Sequence, residues 1–340
     1  MSRATINDVA REAHVSKKTV SRVLNQEPNV HLDTRQRVLD AMERLNYKPS
    51  KQARGLASTQ SYLIALIYDN PNKSYISDVQ DGCLTSCNEF GYHLLIHPLD
   101  YDAEDRAQDI KDLILDSQVD GIVLTPPFSD NREILDLIAE LQKPCVRIGG
   151  TVADDNSVYV TANDLSIAKK MTKYLISLGH KRIGFIKGHP DHPASHQRYK
   201  GYANALAESG METTDELICD GKFEFASAEK ACRKMLSLDQ PPTAIFASND
   251  QMAAAVLKVA SQSGVEVPHG LSVCGFDDAP ISNYIWPSLT TVKMPIKQIA
   301  VEASRYLVQQ IKNQNPITNV VHECELVIRA STAPPGKQGK

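Results

Sequence analysis

The first fifty residues contain three short stretches in which apolar side chains recur three or four positions apart, separated by polar turns. This spacing places the apolar side chains on one face of a helix. The pattern predicts helices over residues 6–13, 16–25 and about 34–45, the third with the apolar stripe Val38, Leu39, Met42 and Leu45. The side chains that can cap these helices are Thr5 with Asp8, then Ser16, then Asp33 or Thr34. Three short helices with a tight turn between the first two predict a helix-turn-helix domain.

A different pattern begins at residue 61, where near-continuous apolar runs alternate with helical stretches. Such runs are typical of strands buried on both faces of a parallel sheet. The first series is YLIALIY, HLLIHPL, GIVLTPP and PCVRIGG, and the second, after a helix at about 164–178, is RIGFIKG, ELICDG, TAIFASN and LSVCGFDD. Two series of this kind predict an α/β body of two doubly wound subdomains with a cleft between them.

The change of pattern also gives the domain boundaries. They are a helix-turn-helix domain at 1–48, a hinge helix or linker at 49–60, a body at 61–332 and a tail at 333–340. Within the body, the N-terminal subdomain takes 61–161 and 291–320, and the C-terminal subdomain takes 162–290 and 321–332. The C-terminal stretch STAPPGKQGK, residues 331–340, is polar and rich in Pro and Gly, so we expect the tail at 333–340 to be disordered.

The composition is that of an ordinary globular protein of 340 residues with 42% apolar residues. The sequence has no run of eighteen apolar residues and no apolar stretch behind a basic N-terminus, so a cytoplasmic location without membrane contact is expected. The seven cysteines are scattered and fall mostly in apolar runs, which indicates buried, reduced thiols. Only Cys83 and Cys87 share a helical face, and no further ligands accompany them in sequence.

The net charge of −4 hides an asymmetry along the chain. Residues 1–60 carry eleven Lys and Arg against six Asp and Glu, and the remainder carries 26 against 35. A basic head on an acidic body indicates that the head alone meets a polyanion.

The second predicted helix carries side chains suited to reading DNA. A helix in the major groove needs cations or amides for base edges and hydroxyls for phosphates. Those available are Ser16, Lys17, Lys18, Thr19, Ser21, Arg22 and Asn25. Lys17, Lys18 and Arg22 are the expected base readers, because Arg or Lys to guanine is the commonest specific contact. The expected phosphate contacts are Thr5, Thr19, Ser21, Asn25 and Tyr47. A merely solvated helix face is the alternative.

Polar groups that follow the apolar runs of the body indicate a ligand site, since ligands of doubly wound sheets bind at the carboxyl ends of the strands. These candidates are Asp69, Arg147, Asn249 and Asp277, together with Arg198 and Phe223 after neighbouring runs. Carboxylate, amide and guanidinium groups beside an aromatic surface suit a polyhydroxylated ring. Helix capping by the Asp and Asn side chains, and a core position for Phe223, are the alternatives.

No enzymatic signature is present. His189, His192 and His196 form a short cluster, but only Asp191 could complete a metal site there. The phosphate-loop, dinucleotide, hydrolase and zinc-protease motifs are absent. We therefore expect no metal, no cofactor and no enzymatic activity. A sugar-binding transport protein would fit the body alone, but the head and the lack of a signal peptide disfavour it.

The chain closely resembles the lactose-repressor/galactose-repressor (LacI/GalR) family of transcriptional regulators. The resemblance is carried by TINDVAREAHVSKKTVSRVLN, TRQRVLDAMERLNYKPSKQARGLAS, SLGHKRIGFIKG, QRYKGYANAL, AIFASNDQMA, VCGFDD and PSLTTVKMP. It implies a body like that of periplasmic sugar-binding proteins, a homodimer on a palindromic operator, and effector contacts from Arg198, Phe223, Asn249 and Asp277. It also implies that Leu56 wedges into the minor groove.

At three positions the sequence departs from what the resemblance leads us to expect. His14 stands where the family usually has Gly in the turn, a place where positive φ is expected. Gly55 weakens the helix predicted at 50–58, which we expect to be disordered in the free protein and ordered on DNA. Gly149 stands where some sugar-responsive members place an acidic contact.

The resemblance predicts a DNA-binding repressor of carbohydrate-utilisation genes that is controlled by a small sugar bound between the subdomains. A phosphosugar or purine effector, or an activator, is the alternative. Without a heptad repeat after residue 332, a dimer is expected and a tetramer is not.

Overall fold

A computed structural model describes residues 4–24, 29–47, 60–313 and 318–336. The chain divides into two compact units, Met1–Tyr62 and Leu63–Lys340. We call them the head and the body and describe each by itself. The predicted hinge at 49–60 falls almost entirely outside the described residues, and so do Asn25, Gly55 and Leu56.

The head consists of helices α1 (Ile6–Glu12), α2 (Lys17–Leu24) and α3 (Leu32–Arg44). Thr5 and Asp8 form the predicted capping box at the start of α1. Ser16 Oγ accepts a hydrogen bond from the Thr19 backbone N–H at 3.1 Å, as expected of a cap for α2. His14 has the positive φ, 54°, that its place in the turn predicted.

The core of the head differs from the prediction at the third helix. The buried side chains are Val9, Ala10, Ala13, Val20, Val23, Val38, Ala41 and Tyr47. Helix α3 begins at Leu32 after His31, so Asp33 lies in its first turn and neither Asp33 nor Thr34 is the cap. Leu39 is 45% exposed, because the buried face runs through Val38 and Ala41 instead.

The body is built from alternating strands and helices. Its first part contains β1 (Leu63–Tyr68), α4 (Lys73–Phe90), β2 (His93–Pro98), α5 (Arg106–Ser117), β3 (Gly121–Leu124), α6 (Arg132–Glu140), β4 (Cys145–Ile148) and β5 (Ser157–Ala162). Its middle part contains α7 (Asp164–Ser177), β6 (Ile183–Lys187), α8 (Pro193–Glu208), β7 (Ile218–Asp220), α9 (Phe225–Leu236), β8 (Ala244–Ala247), α10 (Asp250–Gln262) and β9 (Ser272–Cys274). The last elements are α11 (Ile281–Tyr284), β10 (Thr291–Lys293), α12 (Ile296–Ile311), β11 (Val320–His322) and β12 (Glu325–Val327). Short 3₁₀ turns occur at Phe128–Asp130 and Asp215–Leu217.

Two parallel sheets form the two lobes of the body. The first sheet has the order β11-β5-β4-β3-β1-β2, and the second has the order β7-β6-β8-β9. Helix α12 packs against α4 in the first lobe, and α7 packs against α8 in the second. All eight predicted apolar runs form strands, and the α/β fold class is confirmed. The less apolar strands β5, β10, β11 and β12 were not predicted.

The lobe boundaries near the C-terminus lie a few residues from the predicted ones. Strand β10 pairs with β12 in an antiparallel ribbon, and it belongs with the second lobe because Lys293 bridges to Asp277 and Thr290, just before the strand, bridges to Cys274. Strand β11 pairs with β5 and extends the first sheet to His322. The chain therefore crosses between lobes after β5, after β10 and after β11.

The segment 333–336 is ordered, in contrast to the predicted tail. The Ala333 carbonyl accepts from Ser272 Oγ at 3.0 Å and lies 3.0 Å from His180 Nε2, and the Gly336 N–H donates to His269 O at 3.2 Å. These hydrogen bonds hold the segment beside β9, while 337–340 lie outside the described residues. No helix in the described ranges combines the length and apolarity needed to span a bilayer.

Candidate functional site

The α2 helix presents its polar face to solvent. Lys17, Lys18 and Arg22 are exposed, and Val20 and Val23 pack into the core of the head on the opposite side. Apolar residues on one face and cations on the other leave a basic ridge about two turns long. The three residues predicted to contact bases, Lys17, Lys18 and Arg22, form this ridge.

The predicted phosphate contacts lie in different environments. Thr5 is exposed, but its hydroxyl already donates to Asp8 Oδ2 at 2.7 Å, and this bond holds the pKa of Asp8 below its ordinary value. Thr19 and Ser21 are half-buried. Tyr47 is only 8% exposed and packs in the core of the head, which leaves little of its side chain for a phosphate.

A cavity opens within the body where the two lobes face each other. It lies at the carboxyl ends of β1, β4 and β5 and at the beginnings of α7 and α8. The polar and aromatic side chains that line it are Asn70, Asn72, Tyr75, Thr161, Asp164, His192, Arg198, Phe223 and Asp277. The position agrees with the rule that ligands of doubly wound sheets bind beyond the strand ends.

Arg198, which is 4% exposed, is the centre of the polar network in this cavity. Its Nε donates to Asp164 Oδ1 at 2.7 Å, and its Nη1 donates to the Ser248 carbonyl at 2.5 Å. Asp277 Oδ1 lies 3.6 Å from Nη1, and the guanidinium stacks 3.6 Å from the centre of the Phe276 ring. Burial disfavours the charged form, but the two carboxylates hold the Arg198 pKa above its ordinary value. The guanidinium is therefore a fixed cation that ties α7, α8 and the loop after β9 together.

Gly201 explains how α8 brings Arg198 so close to α7. A Cβ atom at Gly201 would lie 2.3 Å from the Leu165 carbonyl oxygen and 2.9 Å from the Ala168 Cβ. Only a residue without a side chain permits this approach of the two helices. Arg198 lies one turn earlier on α8 and Asp164 one residue before Leu165, so the close packing sets the length of their ion pair.

We expect Gly201→Ala to force α8 away from α7 and to weaken the Arg198–Asp164 pair. The change should lower the free energy of unfolding by about 1–3 kcal/mol, the usual cost of overpacking. Urea unfolding of the full chain, followed by circular dichroism, measures it. Gly210→Ala is unsuitable as a control because of its positive φ, whereas Lys200→Ala places alanine at the neighbouring exposed position of α8. A Gly201→Ala variant as stable as Lys200→Ala would contradict the close-packing argument.

Asp277 lies in a strained loop beside this network. Asp277 and Asp278 have φ values of 112° and 57°, which side chains other than glycine seldom adopt. Arg329 Nη2 donates to Asp278 Oδ1 at 2.6 Å, and Asn72 Nδ2 donates to Asp277 Oδ2 at 2.9 Å across the cavity. Burial raises the pKa of Asp277 to about 7, against the lowering effect of Arg198. The cavity therefore contains a carboxyl group that can take up or release a proton near neutral pH.

Phe223 supplies the aromatic surface predicted for the site. It has a positive φ of 61°, and its ring occupies the space above Gly188, where a Cβ would lie 2.1 Å from the ring. Asn249 does not line the cavity, because it caps α10 through Oδ1 and donates from Nδ2 to the Phe223 carbonyl at 3.3 Å. Asn249 thus holds the Phe223 loop in place.

The structure does not bring Asp69 or Arg147 into this cavity. Asp69 Oδ2 accepts from the Tyr101 backbone N–H at 3.0 Å and orders the turn after β2. Arg147 is fully buried and donates to Asp130 Oδ1 at 3.1 Å and to the Ser129 carbonyl at 3.2 Å. Side chains alternate between the faces of a strand, so Arg147 points away while Ile148 and Gly149, at the strand end, line the cavity.

Several polar cavity residues were not predicted from the sequence as ligand contacts, among them Asn72, Asp164 and His192. Asp164 lies two positions after VYVTA, which is the same signal of a polar group beyond a strand that identified Asp277, but the sequence pattern did not predict β5. Asn72 lies three residues beyond Asp69 in the same loop. The sequence indicated His192 only as a candidate metal ligand. Burial lowers the pKa of His192 to about 3, which keeps the ring neutral. In the described residues, no group of three or more His, Cys, Asp or Glu is placed to hold a metal ion.

Comparison with known families matches both parts of the chain. The sequence profile described as "Bacterial regulatory proteins, lacI family" matches residues 5–50, and that described as "Periplasmic binding protein-like domain" matches residues 172–332. Catabolite control protein A of Priestia megaterium is 34% identical over 93% of this chain and 95% of its own length. The HTH-type transcriptional repressor CytR of Escherichia coli K12 is 33% identical over 97% of this chain and 96% of its own length.

Solved structures give the same result for nearly the whole chain. A lac repressor dimer bound to operator and the anti-inducer ONPF superposes with a TM-score of 0.81 at 26% identity, covering 98% of this chain and all of that one. The transcriptional regulator CelR in complex with cellobiose superposes with a TM-score of 0.74 at 27% identity, covering 97% of this chain and all of that one.

Proposed function

The chain belongs to the lacI family of bacterial regulatory proteins, and on that basis we propose that it is a dimeric transcriptional repressor whose operator affinity is set by an uncharged sugar in the body cavity. The sugar is held between the two lobes at Arg198 and Asp277. The observation that carries the proposal is the combination of a basic α2 ridge in one unit with a buried polar cavity in the other. As a regulator acting on DNA, the protein is proposed to work in the cytoplasm.

The head binds operator DNA through the exposed cations of α2. Lys17, Lys18 and Arg22 reach base edges in the major groove, and the hydroxyl groups of the neighbouring residues meet the phosphates. A dimer places two such helices on a palindromic site. Leu56 is proposed as the minor-groove wedge from the family resemblance alone, since it lies outside the described residues.

The charges in the cavity select an uncharged effector. One buried cation, Arg198, faces two carboxyl groups, Asp164 and Asp277, and the nearby His192 is neutral. A phosphate would have to displace Asp164 from the guanidinium and would lie beside buried carboxyl oxygens, which is electrostatically costly. Hydroxyl groups can donate to these oxygens, and Phe223 offers a ring surface to the apolar side of a sugar. The site therefore supports a neutral sugar over a phosphosugar.

Operator binding with and without candidate effectors tests the proposal. The operator is first obtained by selection from random duplexes, and fluorescence anisotropy then measures its dissociation constant with added monosaccharides, disaccharides, sugar phosphates and purines. We expect an uncharged sugar to change the dissociation constant by about fivefold or more, in the range of typical allosteric coupling. A response to sugar phosphates or purines alone would contradict the assignment of the effector.

Arg22→Ala should weaken binding to the selected operator by about 1–3 kcal/mol and relax the preference at one base position. The reason is that a bidentate contact from Arg to a guanine is lost while the other contacts remain. Binding to the operator and to a scrambled duplex is compared at one salt concentration. Lys170→Ala removes one exposed cation from the body and serves as the charge-matched control. An equal loss on both duplexes for Arg22→Ala would assign this side chain to the phosphates instead.

A further inference from the structure

The cavity at Arg198 is small in the arrangement of the two lobes seen here. The space inside it that water molecules can fill is about 50 Å³. By this measure one water molecule needs about 10–15 Å³, so the cavity has room for about three to five of them. A sugar ring with its hydroxyl groups is larger than that. The two lobes must therefore move apart before such a ligand can enter.

A hydrogen bond across the cavity opposes this movement. Asn72 lies in the first lobe, directly before α4, and Asp277 lies in the second lobe, in the loop after β9. The Asn72 Nδ2 donates to Asp277 Oδ2 at 2.9 Å, and both residues are buried. In the described ranges, no other side-chain hydrogen bond joins the two lobes away from the segments where the chain crosses between them. This bond has to break when the lobes separate.

Asn72 is held in position by its own loop and helix. Its Oδ1 accepts from the Tyr75 N–H at 3.3 Å and so caps α4, and its own N–H donates to Asn70 Oδ1 at 2.8 Å. The positive end of a helix dipole also favours a carboxylate nearby. Because α4 packs against α12 in the first lobe, the bond from Asn72 ties Asp277 to a rigid part of that lobe.

The same bond occupies a group that the effector needs. Asp277 Oδ1 faces Arg198 Nη1 at 3.6 Å, and Oδ2 accepts from the Asn72 amide. A sugar hydroxyl that donates to Oδ2 would replace one N–H donor by one O–H donor. Such an exchange of partners gains little free energy. The Asn72 amide therefore takes the place of a ligand hydroxyl and lowers the affinity for the ligand.

We propose that the contact between Asn72 and Asp277 is autoinhibitory: it holds the two lobes closed and occupies Asp277 until an effector displaces the Asn72 amide. The inference rests on the proposed function, because it takes the cavity at Arg198 as the effector site. It has an unusual consequence for a side chain that lines a ligand cavity. Removing the amide should strengthen effector binding, whereas removing an ordinary ligand contact weakens it.

Asn72→Ser is the variant that isolates this contact. Serine caps a helix about as well as asparagine, so α4 keeps its cap, but the shorter side chain does not reach Asp277. Asn131→Ser is the matched control. Asn131 caps α6 by accepting from the Ile134 N–H at 3.1 Å, and its Nδ2 donates to the Tyr101 hydroxyl at 3.0 Å within the first lobe. Both variants thus lose one amide donor and keep one cap, and only Asn72→Ser loses a bond between lobes.

The rate of thiol labelling measures the opening of the lobes without any effector. Ala194 lines the cavity, and Ala194→Cys places a thiol there for a bulky fluorescent maleimide that cannot enter the closed cavity. The chain without Ala194→Cys gives the background, since the native cysteines are buried except the half-buried Cys324. Adding Asn72→Ser should raise the labelling rate by about three- to tenfold, the value of one hydrogen bond, and Asn131→Ser should not. Equal rates with and without Asn72→Ser would overturn the inference.

Calorimetric titration then measures effector binding with Ala194 intact. The probes are glucose, galactose, mannose, ribose, cellobiose, maltose and lactose, at pH 8.0, which is above the Asp277 pKa of about 7. A sugar that binds should bind about three- to tenfold more tightly to Asn72→Ser than to the unmodified protein or to Asn131→Ser. Weaker binding to Asn72→Ser would make Asn72 an ordinary effector contact, and the inference would be wrong. If labelling accelerates but no sugar binds, the contact between lobes stands and the proposed sugar effector fails.

Discussion

Arg198→Ala should be among the most destabilising single substitutions in the body. The guanidinium is 4% exposed, and its removal leaves the Asp164 and Asp277 carboxyl groups buried without a cation. Breaking a buried ion pair from one side typically costs about 3–5 kcal/mol. The Ser248 carbonyl and the face of Phe276 lose their partner as well. We expect the free energy of unfolding, measured with urea at pH 7.5, to fall by this amount. Effector binding should be lost as well.

Arg198→Lys is the matched control for this prediction. A lysine preserves the charge but cannot donate to Asp164 and Ser248 from a planar fork, so an intermediate loss is expected. Arg233→Ala provides a second control, since Arg233 is an exposed arginine that donates to the exposed Gln262 Oε1 at 2.5 Å. A loss of less than about 1 kcal/mol for Arg198→Ala would mean that water solvates the two carboxyl groups, and the buried network would need revision.

The sequence predicted those parts of the fold that depend on local patterns. The eight strongly apolar runs became strands, and the caps at Thr5 and Ser16 form because they require only residues three positions apart. The third helix began earlier than predicted, since His31 precedes it without a side-chain cap. Strand β5 was missed because Ser157–Ala162 alternates in composition, and its pairing with β4 and β11 depends on distant residues.

The residues of the candidate site could likewise be predicted only where a local pattern marks them. Arg198 and Asp277 were predicted because each follows an apolar run, and Asp164 would have followed from the same rule had β5 been recognised. Arg147 also obeys the rule, yet it points to the opposite face of the strand. A one-residue difference in position reverses the direction of a strand side chain, and only the pairing register fixes it.

The stability of the protein should decrease as the pH rises through neutrality. The pKa of Asp277 is about 7 in the folded protein, mainly because of burial, against an ordinary value of 3.8. Since the folded state binds the proton more tightly, this stabilisation is complete below about pH 4 and is lost as the pH rises to about 7. One pKa unit corresponds to about 1.4 kcal/mol, so the free energy of unfolding should fall by about 4 kcal/mol over the whole range. About 1–3 kcal/mol of this decrease should occur above pH 5. Burial raises the pKa of Asp250 in the same direction.

Asp277→Asn isolates this effect, because asparagine has the same shape and does not titrate. Urea unfolding of the full chain at intervals between pH 5 and 8 should show a flatter pH dependence for Asp277→Asn than for the unmodified protein. A residual slope is expected from Asp250, which remains. The comparison uses the slopes of stability against pH and not the absolute stabilities. The reason is that an asparagine amide also changes the contact with Arg198, which lowers the stability at every pH. Identical slopes for Asp277→Asn and the unmodified protein would show that Asp277 is already ionised at pH 5, with Arg198 outweighing burial.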